Sequence, residues 1–491
     1  MASVMAASVL RRTLLRRCVP VLHVARGYVS GGYGSRRGYS VDPMQDAPKD
    51  RFEGPETLRP SLELGKEKEE EEEKKRPQLP LPQLERPPPD GISALASSLR
   101  IESQRGVTRN YLYTALRDSC QCPRCVDPHS KQRNIRTTDI PGQIKPRDIE
   151  RGDDGQLRIK WTDDVPGFED GHVSVYDRET LLNPVRRTRR GVTELRGRFL
   201  WDKAKMESVQ HWISYEDFMN GGVKFADAMR NLSLTGLIFV KDIPESRDEV
   251  AKVATRMGPL RNTFYGSTWD VRSVPQANNV AYTHQNLDFH MDLMYMVDPP
   301  GYQLLHCLQN SCQGGESVFA DALGAAHAMR RHFPEYFKTL THFRVPYEYN
   351  HEHAVYYNSW PVIELGSSHP YKLPSIKQVN YSPPFQAPMH TMPQFQGHKN
   401  GHNFVNAFKK FASMLNNPAF QFELKLEPGQ CVVFENRRVV HARRQFDVSS
   451  GYRWLAGTYV DTDSLHSTFR RAFRDHPDLK LYPKSLQKAD P

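Results

Sequence analysis

Three things are scarce in this chain of 491 residues. No stretch reaches eighteen consecutive apolar residues, which excludes a membrane-spanning helix. Only seven cysteines are spread over that length, too few for the disulfide framework of a small secreted domain. Acid is missing from the start: no Asp or Glu precedes Asp42. That opening holds seven arginines (Arg11, Arg12, Arg16, Arg17, Arg26, Arg36 and Arg37) among Ser, Ala, Leu and Val, with no continuous apolar core. This is the composition of a mitochondrial transit peptide over residues 1–41, not of a secretory signal. The expected destination is the mitochondrial matrix. The formal charge of +10 is therefore misleading, since taking away those seven leaves +3 for the remainder. Basic charge at that level gives no reason to expect a nucleic-acid partner.

With 38% hydrophobic and 25% charged residues, the chain is long enough for two folded domains with unstructured segments. Residues 42–95 read as such a segment. Glu67 to Lys75 is almost pure charge, and Arg76 to Asp90 is rich in proline, so neither can bury enough apolar area to fold. We expect a small domain over 96–185, a solvated basic connector over 186–208, a large domain over 209–475 and a tail over 476–491.

The cysteines that are present cluster. Cys120, Cys122 and Cys125 fall within six residues in a turn containing Pro123, a spacing that lets three thiolates converge on one ion. A structural zinc wants a fourth ligand. His129 is near but would crowd the same loop; His172, opening the strand-like stretch to Tyr176, would tie a second element to it and is preferred. Strands at 157–161 and 172–176 make this a small zinc-binding β domain.

The larger domain alternates short apolar strands with a few helices. Strands are expected at 236–240, 279–283, 302–308, 317–320, 431–434 running on to 441, and 452–459. Helices are expected at 214–232, 247–257, 322–340 and 403–415. Such a pattern is mainly β with flanking helices and suits a double-stranded β-helix, or jelly roll, better than a doubly wound parallel sheet.

Chemistry enters with His290-Met291-Asp292. Side chains two apart share one face of a strand, so an imidazole and a carboxylate there could hold one metal ion. The pair alone is weak: with 19 His and 57 acidic residues, chance supplies about two His-x-acid pairs. The chain holds two, and the second, His476-Pro477-Asp478, lies beside a proline that disfavours a central strand. The first is set among apolar and aromatic residues. It needs a third ligand, and His441, after an apolar run, is the candidate. A lone histidine is more often a satisfied polar group. Here Arg453 follows twelve residues later on the next strand, where its fork can grip a carboxylate. Two His and one carboxylate with three positions open is the facial triad of non-haem Fe(II) oxygenases.

In this order the residues resemble Fe(II)/2-oxoglutarate-dependent dioxygenases of the taurine-dioxygenase type, and Gly314-Gly315-Glu316-Ser317 is similar to that type's Gly-Gly-Asp-Ser/Thr motif. More closely, residues 105–475 resemble the γ-butyrobetaine and trimethyllysine dioxygenase family. The carrying motifs are Leu116-Arg117-Asp118-x-Cys120, Thr263-Phe264-Tyr265-Gly266-x-Thr268-Trp269, Asn278-Asn279-Val280-Ala281-Tyr282-Thr283, Pro299-Pro300-Gly301-x-Gln303-Leu304-Leu305-His306-Cys307 and Asn436-x-Arg438-x-x-His441. The resemblance implies Fe(II) on His290, Asp292 and His441, with 2-oxoglutarate on Arg453 and Ser317. It also implies O2 as oxidant, ascorbate as a helper and a homodimer. It further implies an aromatic cage of Tyr265, Trp269, Tyr282 and Tyr459 around a trimethylammonium group, which cannot donate an N–H bond and is met by ring faces instead. Asn279, and more weakly Asn380, would take the substrate carboxylate.

The expected reaction is hydroxylation of γ-butyrobetaine to L-carnitine. The rival is hydroxylation of trimethyllysine: the cysteine set and the Asn-Asn-Val-Ala-Tyr run match the butyrobetaine enzyme, whereas a mitochondrial leader is typical of the trimethyllysine one. Leu293 to Met296 departs from the animal patterns of both and is a candidate pocket wall. A more distant alternative is a zinc-bearing, non-catalytic nucleic-acid-binding module using the connector, but no aromatics interleave its basic residues.

Overall fold

A computed structural model describes residues 80–103, 105–168, 171–182, 198–272, 284–366, 374–392, 395 and 398–479, with backbone only at 398–400. The leader 1–41, most of 42–95 and of the connector, the strand expected at 279–283 with Asn279 and Tyr282, and the end of the tail lie outside the described residues. The chain forms two compact units, Met1–Asn183 and Pro184–Pro491. Among the described residues no helix is long and apolar enough to cross a membrane.

In the first unit, two three-stranded antiparallel sheets pack around one core: Ile92–Ala94, Ser98–Glu102 and Thr108–Leu112, then Lys145–Arg151, Leu157–Thr162 and Val173–Tyr176. Alternation along the middle strand of the second sheet turns Leu157, Ile159 and Trp161 inward against Leu99, Ile101 and Ile149. The strand at Ile92 means that 92–95 belong to this folded unit rather than to a linker.

The second unit mixes sheets and helices. Six strands run in the order Trp212–Ser214, Leu237–Lys241, Cys431–Glu435, Tyr302–Asn310, Arg453–Val460 and Thr268–Arg272. Four more run Leu287–His290, Val439–Arg443, Ser317–Asp321 and Phe422–Leu424. Only Trp212–Ser214 pairs in parallel among the described strands, which rules out the doubly wound alternative. Aromatic side chains join the sheets, with Phe319 and Phe434 rings 5.6 Å apart and Phe239 and Phe422 6.0 Å apart. The far face of the six-stranded sheet is covered by helices Gly222–Thr235, Glu249–Met257 and Thr462–Asp475, so Tyr302–Asn310 is buried on both faces. Helices Ala322–His332, Pro334–His342 and His398–Leu415 cover the smaller sheet.

Several expected elements are divided. The helix expected over 322–340 breaks at Phe333, because Pro334 lacks an N–H and forces its predecessor out of helical geometry. The helix over 214–232 breaks at Gly221, which has φ +83°. The run from Cys431 to His441 is two strands in different sheets, joined by a turn through Asn436, Arg437 and Arg438. The expected solvated connector holds buried Phe199, Trp201 and Met206 instead, and Arg198 forms an ion pair with Glu435.

Candidate active site

His290 and His441 are direct cross-strand partners in the smaller sheet, with ring centroids 4.1 Å apart. Antiparallel pairing therefore does what sequence distance hides: it sets two imidazoles side by side on one face. His441 sits in mid-strand, opposite Phe319 on its other side, and is buried rather than surface-accessible. Asp292 is not placed by strand alternation. Its strand ends at His290, and Asp292 lies in the following turn, where Leu293 adopts φ +60°. Asn436 holds that turn: its Oδ1 accepts the Asp292 N–H at 2.8 Å, and its Nδ2 donates to the Asp292 and Pro300 carbonyls at 3.0 and 3.1 Å.

The three side chains converge. Nε2 of His290 is 3.4 Å, and Nε2 of His441 3.9 Å, from Oδ1 of Asp292, and all candidate ligand atoms lie within 4.8 Å of one another. Nδ1 of His290 donates to the Asp288 carbonyl at 2.8 Å, which orients the ring with its Nε2 toward Asp292. Burial, with His290 beside it, pushes His441 down to about 3, so it is neutral. Burial alone would raise the Asp292 carboxyl, but His290, His441 and a hydroxyl of Tyr459 outweigh it and hold it well below the usual carboxylate range. Two imidazoles and a carboxylate converging on one point fit a cation between them.

A cavity opens over this cluster. Arg453 and Ser317 are buried in its wall. The Nε of Arg453 donates to the Gly315 carbonyl at 3.4 Å. Gly314 and Gly315 both have positive φ, and a Cβ at Gly314 would lie 2.3 Å from the Gln445 carbonyl oxygen, which explains the glycine pair. A second guanidinium was missed. Arg443 lies opposite Ser317 in the sheet and two residues beyond His441, so alternation brings it to the same cavity. Burial pushes Arg443 to about 9 and Arg453 to about 10.

The other walls are aromatic. Tyr265, Trp269 and Tyr459 line the cavity, and the Trp269 and Tyr459 rings are 4.1 Å apart. Tyr295 and Phe385 were not anticipated individually, though Leu293 and Tyr295 do place the divergent stretch in the wall. Behind them Phe264 packs on Tyr265 at 4.1 Å and on Tyr349 at 4.8 Å. Asn380 is spoken for: its Nδ2 donates to the Pro361 carbonyl at 2.7 Å and its Oδ1 accepts from Arg437. A role with a substrate carboxylate is thereby withdrawn.

In the first unit Cys120, Cys122, Cys125 and His172 come together, with the three sulfurs 3.6, 3.5 and 3.4 Å from Nε2 of His172. His129 is exposed on the loop, its N–H donating to Asp127. Nδ1 of His172 bonds Asp164 at 2.6 Å, Asp164 accepts from Arg117 Nε at 2.5 Å, and Arg117 donates to Cys125 Sγ at 3.2 Å. Burial opposes ionisation of Cys120, yet hydrogen bonds from His172 and Ser174 pull its thiol down to about 6. A Cys3His set with its imidazole oriented by a carboxylate is compatible with structural zinc.

Two imidazoles and one carboxylate lining one cavity together with two arginines and several aromatic rings match the donor set of a mononuclear non-haem iron oxygenase. The comparisons agree. The taurine catabolism dioxygenase TauD, TfdA family matches residues 208–459, and the N-terminal region of gamma-butyrobetaine hydroxylase-like proteins matches 92–181. Dioxygenase str8 of Strobilurus tenacellus is 34% identical over 377 residues, covering 73% of this chain and 84% of that protein. Gamma-butyrobetaine dioxygenase of Pseudomonas sp. (strain AK-1) is 32% identical, covering 72% and 88%. Mitochondrial trimethyllysine dioxygenase of Homo sapiens is 29% identical, covering 73% and 82%. The chain belongs to the TauD/TfdA dioxygenase family and is a 2-oxoglutarate-dependent dioxygenase.

Proposed function

We propose that this enzyme hydroxylates γ-butyrobetaine to L-carnitine. The observation that carries the reading is the aromatic wall of Tyr265, Trp269 and Tyr459 in the same cavity as His290, Asp292 and His441. Ring faces attract a desolvated quaternary ammonium by about 2 kcal/mol. No hydrogen-bond donor is needed on the ligand, and the cation is held at one end so that a distant C–H reaches the metal face.

His290, Asp292 and His441 would hold Fe(II). Arg453, with the Ser317 hydroxyl, would take the far carboxylate of 2-oxoglutarate. With both bound, the site supplies oxidative decarboxylation to succinate and CO2 coupled to insertion of one oxygen atom of O2 into an unactivated C–H bond. The chain's own share is orientation and the exclusion of water by apolar walls. The expected sandwich of the two sheets is a double-stranded β-helix, a reading supported by their near-complete antiparallel pairing and the Phe319–Phe434 contact. Zinc in the cysteine cluster serves the fold of the first unit.

Trimethyllysine is the second candidate, favoured by the 28–29% identity to mitochondrial trimethyllysine dioxygenases and by the acid-free arginine leader, both of which also support a matrix location. Succinate release measured with each amine in turn decides between them. γ-Butyrobetaine is expected to stimulate it most; stimulation by trimethyllysine alone transfers the assignment, and stimulation by neither overturns the quaternary-ammonium reading.

A further inference from the structure

The carboxylate of Asp292 divides its two oxygens between different partners. Oδ1 faces both imidazoles, 3.4 Å from His290 and 3.9 Å from His441. Oδ2 accepts a 2.6 Å hydrogen bond from the hydroxyl of Tyr459, and apart from the imidazoles no other side chain among the described residues bonds this carboxylate. Tyr459 is itself held firmly. It lies on a central strand opposite Gln303, its carbonyl accepts from the Arg261 N–H at 2.9 Å, and its ring is buried against Trp269.

A carboxylate free to rotate about its Cβ–Cγ bond can bind a metal through one oxygen or through both. Binding through both would occupy one of the positions that a chelating keto acid and O2 require. A phenol fixed on Oδ2 removes that choice.

We propose that Tyr459, whose ring is a wall of the cation cage, is also a positioning residue for the metal. Its hydroxyl ties up Oδ2 of Asp292, so that the carboxylate meets the ion through Oδ1 alone. This rests on the reading of His290, Asp292 and His441 as a metal site. It adds a link between the two halves of the cavity: one side chain touches the substrate cation with its face and orients a metal ligand with its tip.

The test uses the full chain with its cysteine cluster first loaded with zinc, so that added Co(II) reports on the triad. Anaerobic titration compares the wild type with Tyr459→Phe, which keeps the ring against Trp269 and loses only the hydroxyl. Loss of an oriented partner of a metal ligand typically costs 10–100-fold in metal affinity. The variant is expected to bind Co(II) that much more weakly, with altered visible absorption bands. Should the variant fold poorly, the ultraviolet difference spectrum of the wild type still reads the contact: adding Co(II) is expected to perturb a tyrosine band, and an unperturbed band counts against the proposal. Equal affinities and spectra for the two proteins overturn it while leaving the triad standing. A wild type that takes up no Co(II) overturns the triad, and the proposal falls with it.

Discussion

The indole of Trp269 lies across Gly457 so closely that a Cβ there would meet indole Cε2 at 2.6 Å and Nε1 at 2.7 Å. The two residues are cross-strand neighbours in the six-stranded sheet, Trp269 on its edge strand and Gly457 on the next strand in. The missing side chain is what lets the ring lie against Tyr459 as a cavity wall.

Gly457→Ala is therefore expected to push the indole out of place. Overpacking of this kind costs about 1–3 kcal/mol of stability. Displacing one cage wall removes about 1–2 kcal/mol of cation–π attraction, roughly a five- to thirtyfold rise in KM for the quaternary-ammonium substrate. Arg453 and Ser317 are untouched, so KM for 2-oxoglutarate is expected to move little. Steady-state kinetics with each substrate varied in turn checks this split, and equal rises for both would show that Trp269 does not serve the cation.

Asn436 and Asp292 are 144 residues apart, yet one amide satisfies both main-chain groups of the aspartate. Asn436→Ala leaves the Asp292 N–H and the Asp292 and Pro300 carbonyls without that partner. Each unsatisfied buried group costs about 1–3 kcal/mol, so denaturant unfolding should report a loss of several kcal/mol unless water enters. Asn436→Asp keeps the acceptor and loses the two donor bonds, and is expected to fall between the alanine variant and the wild type. A wild-type midpoint for the alanine variant would mean that the turn holds itself.

What the sequence made legible was chemical identity rather than placement. His290, Asp292, His441 and Arg453 could be picked out because their side-chain types and order are rare in combination, and Cys120, Cys122 and Cys125 because three thiols in one turn have few other uses. Placement followed rules the chain does not display. Asp292 leaves the strand, and its position depends on Asn436, which looks like any turn residue. Arg443 was overlooked although it shares the face of His441. Tyr295 and Tyr349 reach the aromatic cluster from a turn and from the hairpin of Arg344–His351 with Ala354–Pro361, whose mixed polar and aromatic residues carry no clean period-two signal. The helix Thr462–Asp475 was also missed, because its charged outer face masks the buried Leu465 and Phe469.

The cysteine cluster gives a metal-removal prediction. Three sulfurs within 3.6 Å of one imidazole nitrogen make a four-donor set that a cation would tie together. Binding at such sites is folding energy, on the order of 10 kcal/mol for structural zinc. A strong chelator is expected to release zinc and to open residues 92–182 to protease, while the second unit keeps its melting transition. Asp164→Asn, which loosens the hold on His172 Nδ1, is expected to weaken zinc 10–100-fold in a chelator competition. Purified protein free of zinc, and equally resistant to protease with or without chelator, would refute the assignment.

The last prediction concerns acid. His306 is fully buried on the helix-covered face of the strand Tyr302–Asn310, and neither of its ring nitrogens has a hydrogen-bond partner among the described residues. Burial pushes it down from 6.5 to about 4, with the nearby Glu249 carboxylate opposing only in part. The unfolded chain takes up a proton on this imidazole near pH 6.5, whereas the native fold refuses it until about pH 4. The native state is thus penalised as pH falls through that window: this contribution to stability is intact above 6.5, declines toward 4 and is level below. At one pKa unit per 1.36 kcal/mol, the loss approaches about 3 kcal/mol. His306→Leu presents the same layer, among Leu304 and Leu308, with an apolar side chain of similar size. It should unfold in urea at a midpoint that is at least as high at pH 7 and depends less on pH between 6.5 and 4. Because all other titrating groups are common to both proteins, the difference between the two pH profiles isolates this one imidazole, and parallel profiles would show that His306 finds its proton, or a partner, inside the fold.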